Sequence, residues 1–353
     1  MARTRNAVAT REAPPARRSR KGPVTKTPEG ISPSTQPELW TGPDRHLLDL
    51  DHVSTQEITE ILRSTDGMKE VLSRRVRKTP ALRGKTIVTL FFEASTRTRV
   101  SFEQAGKVLG ADVINVTASA SSVTKGESLL NTVRTLESMH VDVLVIRHPH
   151  SGAPYFVASH IDAPVVNAGD GTHAHPTQAL LDLYTIESHL GGVAGKKIAI
   201  IGDLLYSRVA RSNLWGLSKM GANVVVYGPP TLMPPELDNA EGLDGVVRAA
   251  SMEEAVDEAD VVMMLRIQRE RQAAGHLPSM REYSRVYGLN ARRLKLARPG
   301  ALVMHPGPMN EGIEISPDVA HGAQAVIEEQ VANGVAVRMA VLYMLAARGA
   351  SGR

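Results

Sequence analysis

A regular alternation of short β-branched runs with amphipathic segments is the feature that most constrains the fold. Strands are predicted in the first half at residues 86–91, 111–116, 141–146 and 164–168, and in the second half at 197–203, 222–227, 260–265 and 301–304. Most of these runs are followed by a segment with helical period, which is typical of parallel βαβ units. The predicted fold class is α/β, with two doubly wound domains, parallel sheets and the active site in the cleft between them.

Composition separates a basic tail from the two halves. Residues 1–43 are rich in Pro, Ser, Thr and Arg and have no apolar period, so we expect a disordered tail. The first 30 residues hold eight Lys or Arg and two Glu, whereas the whole chain carries +4, so the remainder is slightly acidic. A solvated extension is the expected role of the tail, with nucleic-acid contact or docking to a partner left open.

The domain boundary is predicted at Gly191-Gly192, where a long helical segment ends. The expected domains are residues 44–190 and 191–324. A helix at 325–349 is long and apolar enough to return and complete the first domain.

Several classes of protein and site are excluded or disfavoured by what the sequence lacks. There is no cysteine, which excludes disulfides, thiolate metal sites and cysteine nucleophiles. No apolar run reaches ~18 residues and the N-terminus has no apolar signal core, so a cytoplasmic enzyme is expected. The fingerprints of dinucleotide and P-loop sites are absent, and no histidines have metalloprotease spacing. We therefore expect neither a cofactor nor a metal.

A phosphate site is predicted at Ser95-Thr96-Arg97-Thr98, where the first strand turns into a helix. Hydroxyls, free backbone N–H groups, a guanidinium and the helix dipole converge at such a position. The alternative is an ordinary Ser N-cap followed by solvated arginines. Other polar clusters also follow predicted strands, and ligands of open parallel sheets bind at these ends. They are Arg147, residues 170–178, 203–208, 266–271 and 305–308.

Motifs in both halves together resemble a known family. The first half carries Ser95-Thr96-Arg97-Thr98-Arg99, Lys125-Gly126-Glu127-Ser128, Arg147-His148-Pro149 and His175-Pro176-Thr177-Gln178. The second half carries Gly202-Asp203-Leu204-Leu205-Tyr206-Ser207-Arg208 and Arg266-Ile267-Gln268-Arg269-Glu270-Arg271. In this order they resemble the aspartate and ornithine carbamoyltransferases, and the second half resembles the aspartate branch. The resemblance covers about residues 44–349.

The resemblance implies a role for each candidate residue in binding carbamoyl phosphate. Ser95, Thr96, Arg97 and Thr98 would hold the phosphate, and Arg147 would reach both phosphate and carbonyl oxygen. His175 and Thr98 would donate to the carbonyl oxygen, while Gln178 and the carbonyls near Gly307 and Pro308 would accept from the NH2 group. The implied catalytic residues are Arg97, Thr98, Arg147 and His175.

For L-aspartate, the resemblance implies binding by Arg208, Arg266, Gln268 and Lys125. Glu93 would orient arginines across the domain gap. The loop with Ser121 and Lys125 would reach the site of a neighbouring subunit, which implies a homotrimer with shared sites.

The implied reaction is carbamoyl transfer from carbamoyl phosphate to the α-amine of L-aspartate, in pyrimidine biosynthesis. Two alternatives remain open: another carbamoyltransferase such as the ornithine enzyme, or an inactive scaffold for a pathway partner. A dihydroorotase or a regulatory chain is a possible partner, whereas a membrane or specific nucleic acid is not expected.

Overall fold

The computed structural model describes residues 46–117, 127–239, 241–243, 245–268, 271 and 279–348. Its helices are α1 Thr55–Ser73, α2 Thr96–Val108, α3 Leu129–Ser138, α4 Ala153–Ala158, α5 Pro176–Leu190, α6 Arg208–Lys219, α7 Met252–Val256, α8 Met280–Tyr287, α9 Ala291–Leu294, α10 Pro317–Ala320 and α11 Ile327–Arg348. Its strands are β1 Thr86–Phe91, β2 Asp112–Thr117, β3 Val143–His148, β4 Val165–Asp170, β5 Lys197–Ile201, β6 Asn223–Tyr227, β7 Val247–Arg248, β8 Val261–Met264 and β9 Leu302–Met304. Short 3-10 helices cover Pro230–Leu232 and Pro235–Asn239. The predicted tail, residues 1–43, lies outside the described residues.

The first sheet has the strand order β2-β1-β3-β4, and every pairing in it is parallel. Residues 143–146 of β3 are all buried, as expected for a parallel strand covered on both faces. The pairing of β3 with β4 slips between Ile146 and His148. Arg147 therefore lies at an irregularity near the carboxyl end of its strand, where such bulges redirect side chains towards sites.

The second sheet has the order β7-β6-β5-β8-β9, again with parallel pairings throughout. Its central strand β5 and the neighbouring β8 are buried almost completely. Two parallel sheets with interleaved helices confirm the predicted α/β class.

The last helix, α11, packs against α1, α2 and α5, which belong to the first half of the chain. The helix α5 also packs against α6, which follows the first strand of the second sheet. The α5–α6 contact therefore connects the two α/β units, and one hydrophobic core runs through both. Within the described ranges, every helix is too short or too polar to cross a membrane.

Candidate active site

A cleft of about 970 Å³ opens where the carboxyl ends of the two sheets meet. It is lined by residues that follow strands of both sheets. All the predicted site residues that the structure describes line this cleft: Ser95, Thr96, Arg97, Thr98, Arg147, His175, Gln178, Arg208, Arg266, Gln268, Gly307 and Pro308. Ser121 and Lys125, predicted for a neighbouring-subunit loop, lie outside the described residues.

The predicted phosphate site lies at the first turn of α2. Ser95 occupies the N-cap position in an extended conformation, but its side chain makes no capping hydrogen bond to the described backbone. The hydroxyl is therefore not consumed by the helix, in contrast to Ser54 of α1, which accepts from Glu57 in a full capping box. An uncapped N-terminus with positive dipole potential suits an anion.

A single carboxylate, Glu93, bridges arginines from different parts of the chain. Its Oε2 lies 2.7 Å from Nη2 of Arg208 and 3.2 Å from Nε of Arg147, and its Oε1 lies 3.8 Å from Nη2 of Arg271. Burial and the nearby charge of Arg208 lower the pKa of Arg147 to about 9. One carboxylate shared by three guanidinium groups leaves this region electropositive.

A glycine at the end of β4 leaves room for these guanidinium groups. Gly169 has φ of 118°, and a Cβ there would lie 2.9 Å from Nη1 of Arg147 and from Cζ of Arg208. Nη1 of Arg147 donates to the carbonyl of Ala168 at 3.0 Å. The glycine therefore lets two like-charged side chains approach the end of β4 together.

His175 is the N-cap residue of α5, directly before Pro176. Its backbone N–H donates to Oγ of Ser212 at 2.9 Å, which fixes the residue against α6. Burial and the charges of Arg147, Arg208, Arg338 and Arg271 lower the pKa of His175 well below its usual value. The imidazole is therefore neutral at pH 7 and can donate one hydrogen bond without carrying charge.

Two buried carboxylates order the loops of the second sheet. Asp203 accepts from the backbone N–H groups of Tyr206 and Gln268, both at 3.0 Å. Glu314 accepts from the N–H of Ile267 at 2.9 Å and from the side chain and backbone of Asn310. The loop that carries Arg266 and Gln268 is thus anchored at two successive peptide groups.

Arg266 and Gln268 form a pair at the far side of the cleft. Nη1 of Arg266 donates to Oε1 of Gln268 at 3.3 Å. Burial and the charge of Arg266 lower the pKa of Arg97, which places positive charge from the two sheets close together. In the described part of the chain, no cluster of three His, Cys, Asp or Glu side chains could hold a metal ion.

The sequence matches two family models over most of its length. Residues 45–188 match the carbamoyl-phosphate-binding domain of the aspartate/ornithine carbamoyltransferases, and residues 194–345 match the Asp/Orn-binding domain. The chain belongs to the aspartate/ornithine carbamoyltransferase family.

Individual members of this family resemble the chain closely. The aspartate carbamoyltransferase catalytic subunit of Roseiflexus sp. (strain RS-1) is 59% identical over 301 residues, which is 85% of this chain and 95% of the relative. Aspartate transcarbamoylase from Trypanosoma cruzi in complex with carbamoyl phosphate and aspartate superposes with a TM-score of 0.78 at 34% identity, covering 87% and 98% of the two chains. Ornithine carbamoyltransferase from Pyrococcus furiosus gives a TM-score of 0.76 at 29% identity, covering 86% and 96%.

The sequence motifs did not indicate two polar residues that α11 contributes to the cleft of this carbamoyltransferase. Gln330 and Arg338 both line it, and both are buried. The guanidinium of Arg338 lies over the ring of Phe102, 5.2 Å from its centroid, and Nη1 donates to the carbonyl of Gly334. Gln330 and Arg338 are eight residues apart, which puts them on the same side of α11, and that spacing could have indicated them.

Proposed function

We propose that this chain transfers the carbamoyl group of carbamoyl phosphate to the α-amine of L-aspartate, giving N-carbamoyl-L-aspartate and phosphate. The observation that carries the proposal is a cleft with cationic groups on both walls. Arg97 and Arg147 come from the first sheet, and Arg208 and Arg266 follow strands of the second. Carbamoyl phosphate and aspartate are both anions, and arginines bind phosphate and carboxylate groups in a bidentate manner.

In the proposed complex, the phosphate binds at the first turn of α2. The hydroxyls of Ser95, Thr96 and Thr98 and the guanidinium of Arg97 donate to its oxygens, together with the backbone N–H groups of the helix. Arg147 reaches from the neighbouring strand end to phosphate and carbonyl oxygen. Its side chain is largely shielded from water, which makes these hydrogen bonds stronger than they would be in water.

The carbonyl oxygen of the carbamoyl group binds to Thr98, Arg147 and neutral His175. Negative charge develops on this oxygen when the amine attacks the carbamoyl carbon. A neutral imidazole can donate to it without first losing a proton. The amide end of the substrate is held by Gln178 and by the carbonyls near Gly307 and Pro308.

Aspartate binds against the other wall in this proposal. Arg208, Arg266 and Gln268 hold its two carboxylates, and Lys125 joins them from the predicted loop. The family resemblance assigns Ser121 and Lys125 to the site of a neighbouring subunit. We therefore include a homotrimer with shared sites in the proposal.

The chemical step needs no covalent enzyme intermediate. The α-amine forms a C–N bond to the carbamoyl carbon, the tetrahedral oxyanion collapses, and the C–O bond to phosphate breaks. The leaving phosphate takes the proton that the amine loses. Positioning and charge stabilisation by the residues named above then account for catalysis.

Phosphate release from carbamoyl phosphate, with L-aspartate or L-ornithine added in turn, tests the reaction. We expect release with aspartate only. The side chain of ornithine is a cation, and Arg208 and Arg266 on the aspartate-binding side of the cleft would repel it. Release with ornithine alone would assign the chain to the other branch. Absence of release with either acceptor would favour the scaffold alternative.

The shared site is tested separately by mixing two inactive variants. If Lys125 comes from a neighbouring subunit, Arg97→Ala and Lys125→Ala chains should regain activity when dissociated and reassembled together, because some sites then contain neither change. Arg97→Ala mixed with His175→Ala is the control and should stay inactive. A fully active monomer in light scattering would contradict the trimer.

A role in pyrimidine biosynthesis follows from the proposed product. A dihydroorotase is the proposed partner, because it would consume N-carbamoyl-L-aspartate. A regulatory chain and the cytoplasmic location also stay predictions. Affinity capture with residues 1–43 as bait tests the partner: recovery of dihydroorotase would support it, and its absence would contradict docking through the tail.

A further inference from the structure

One buried carboxylate, Asp182 in the middle of α5, receives hydrogen bonds from three side-chain amides. Its Oδ1 accepts from Nε2 of Gln178 at 3.1 Å and from Nε2 of Gln330 at 2.7 Å, and its Oδ2 accepts from Nδ2 of Asn213 at 2.8 Å. The residue is 0% exposed. Although burial raises the pKa of Asp182 to about 6, the carboxylate is ionised above neutral pH. In this ionised form Asp182 can only accept hydrogen bonds.

The first consequence concerns Gln178, which lines the cleft. The oxygen and nitrogen of a primary amide have nearly the same shape, so the surroundings decide which way the amide faces. Asp182 binds the NH2 end of Gln178 and so leaves Oε1 for the cleft. Within the described structure, no hydrogen bond occupies that oxygen.

The second consequence concerns the turn at residues 305–308. Gln330 donates to Asp182, so its Oε1 is turned towards this loop and accepts from the backbone N–H of His305 at 3.0 Å. The N–H of Gly307 donates to Nδ1 of His305 at 2.8 Å. Pro306 and Pro308 have no N–H. The described turn therefore has no backbone donor left and presents only carbonyls to the cleft.

We propose that Asp182 is a specificity-determining positioning residue that makes both walls around the carbamoyl amide into hydrogen-bond acceptors. It does so through Gln178 on one wall and through Gln330 and the 305–308 turn on the other. A substrate with NH2 at this point satisfies these acceptors. An acyl phosphate with CH3 instead, which has nearly the same size and charge, leaves them buried and unpaired.

This inference rests on the proposed function, because it assigns the amide end of carbamoyl phosphate to these walls. Two stable probes separate the question from turnover. Phosphonoacetamide ends in C(O)NH2 and phosphonoacetone ends in C(O)CH3, and both carry the same phosphonate. The dissociation constant of phosphonoacetone divided by that of phosphonoacetamide, both measured by calorimetry at pH 8, reports the selection of NH2 over CH3.

The Asp182→Asn variant should lower this ratio by about 10-fold, since the walls then no longer present only acceptors to the NH2 group. Asparagine keeps the shape of the side chain but offers an NH2 group, so one of the neighbouring amides must turn round. Gln330→Met is the second variant, in case Asp182→Asn does not fold. It releases only the 305–308 turn and should lower the ratio by a smaller factor, about 3-fold.

Thr185→Val is the matched control. Thr185 Oγ1 accepts from Nδ2 of Asn333 at 3.0 Å, so the variant breaks another buried hydrogen bond between α5 and α11. Thr185 does not line the cleft, and the ratio should stay at the wild-type value. Equal loss of affinity for both probes in Asp182→Asn, or an unchanged ratio in the folded variants, would overturn the inference. Wild-type protein that binds neither probe would instead contradict the proposed function, and the inference with it.

Discussion

Oε2 of Glu93 lies 2.7 Å from Nη2 of Arg208, and this ion pair joins the loop after β1 to the first residue of α6. The two partners belong to different sheet units, and Arg208 is 3% exposed. A carboxylate at this point holds the two walls of the cleft at a fixed separation. Its negative charge also offsets the repulsion between the guanidinium groups of Arg208 and Arg147.

Glu93→Gln should therefore lower kcat/KM for aspartate by roughly 10- to 100-fold, since loss of one partner from a buried ion pair is costly. Steady-state kinetics with varied aspartate measure the effect. Glu103→Gln is the control, because it breaks the exposed pair with Lys107 on the outside of α2. That change should alter kcat/KM less than about 2-fold. Equal effects of the two substitutions would argue against a role for Glu93 between the walls.

Arg97→Ala should reduce kcat by about 10²-fold or more, because the guanidinium is proposed to act on the phosphate where charge accumulates. Arg99→Ala provides the control. Arg99 lies two residues further on, contacts Thr117 and does not line the cleft. Turnover at the wild-type rate in Arg97→Ala would contradict the assignment of the phosphate site.

His175→Ala should also reduce kcat by about 10²-fold. Because the pKa of His175 is lowered well below its usual value, the residue stays neutral between pH 6 and 8. The variant should therefore keep the shape of the wild-type kcat profile over that range. NMR titration of the imidazole provides an independent readout, and protonation near pH 6.5 would show that the burial argument is wrong.

Gly307→Ala should raise KM for carbamoyl phosphate by roughly 10-fold, since small displacements of binding groups are costly. Gly307 has φ of 63°, and a Cβ there would lie 2.8 Å from Nη1 of Arg97. The flexible arginine can move away, so the damage falls on the ligand site. Gly191→Ala is the control, because φ is 70° but no atom lies within 4 Å of the added Cβ. It should cost similar stability, about 1–2 kcal/mol, without a change in KM.

Asp49 should make stability depend on pH. Burial and the charge of Asp51 raise its pKa to about 7, while His173 and Ser212 oppose the shift. The folded state then binds more protons than the unfolded state between pH ~4 and 7. The stability contribution is complete below the unfolded pKa and is lost as pH rises through about 7.

Asp49→Asn removes this titration. As pH falls from 8 to 4, the unfolding free energy of the wild type should rise relative to the variant, by up to about 4 kcal/mol. Chemical denaturation at several pH values measures the difference. Asp112→Asn, at an exposed position, is the control and should show little of this trend. A constant difference between wild type and Asp49→Asn would contradict the raised pKa.

The sequence by itself determined the two parallel sheets and the family. Apolar β-branched runs such as residues 143–146 favour strands that are buried on both faces, and the helices between them have periodic apolar faces. The polar clusters at strand ends could be placed at one cleft, because parallel strands direct all their carboxyl ends to the same edge. The resemblance to the carbamoyltransferases then implied which residues between Ser95 and Pro308 form the site.

Only the tertiary structure decided how these side chains are held and charged. The neutrality of His175 depends on burial and on four arginines that are distant in sequence. The contacts of Asp182 with Asn213 and Gln330 join α5 to two other helices, and no local pattern encodes such long-range pairs. Desolvation and amide orientation depend on the atoms that surround a group in space. The sequence specifies those neighbours only through the packing of the whole fold.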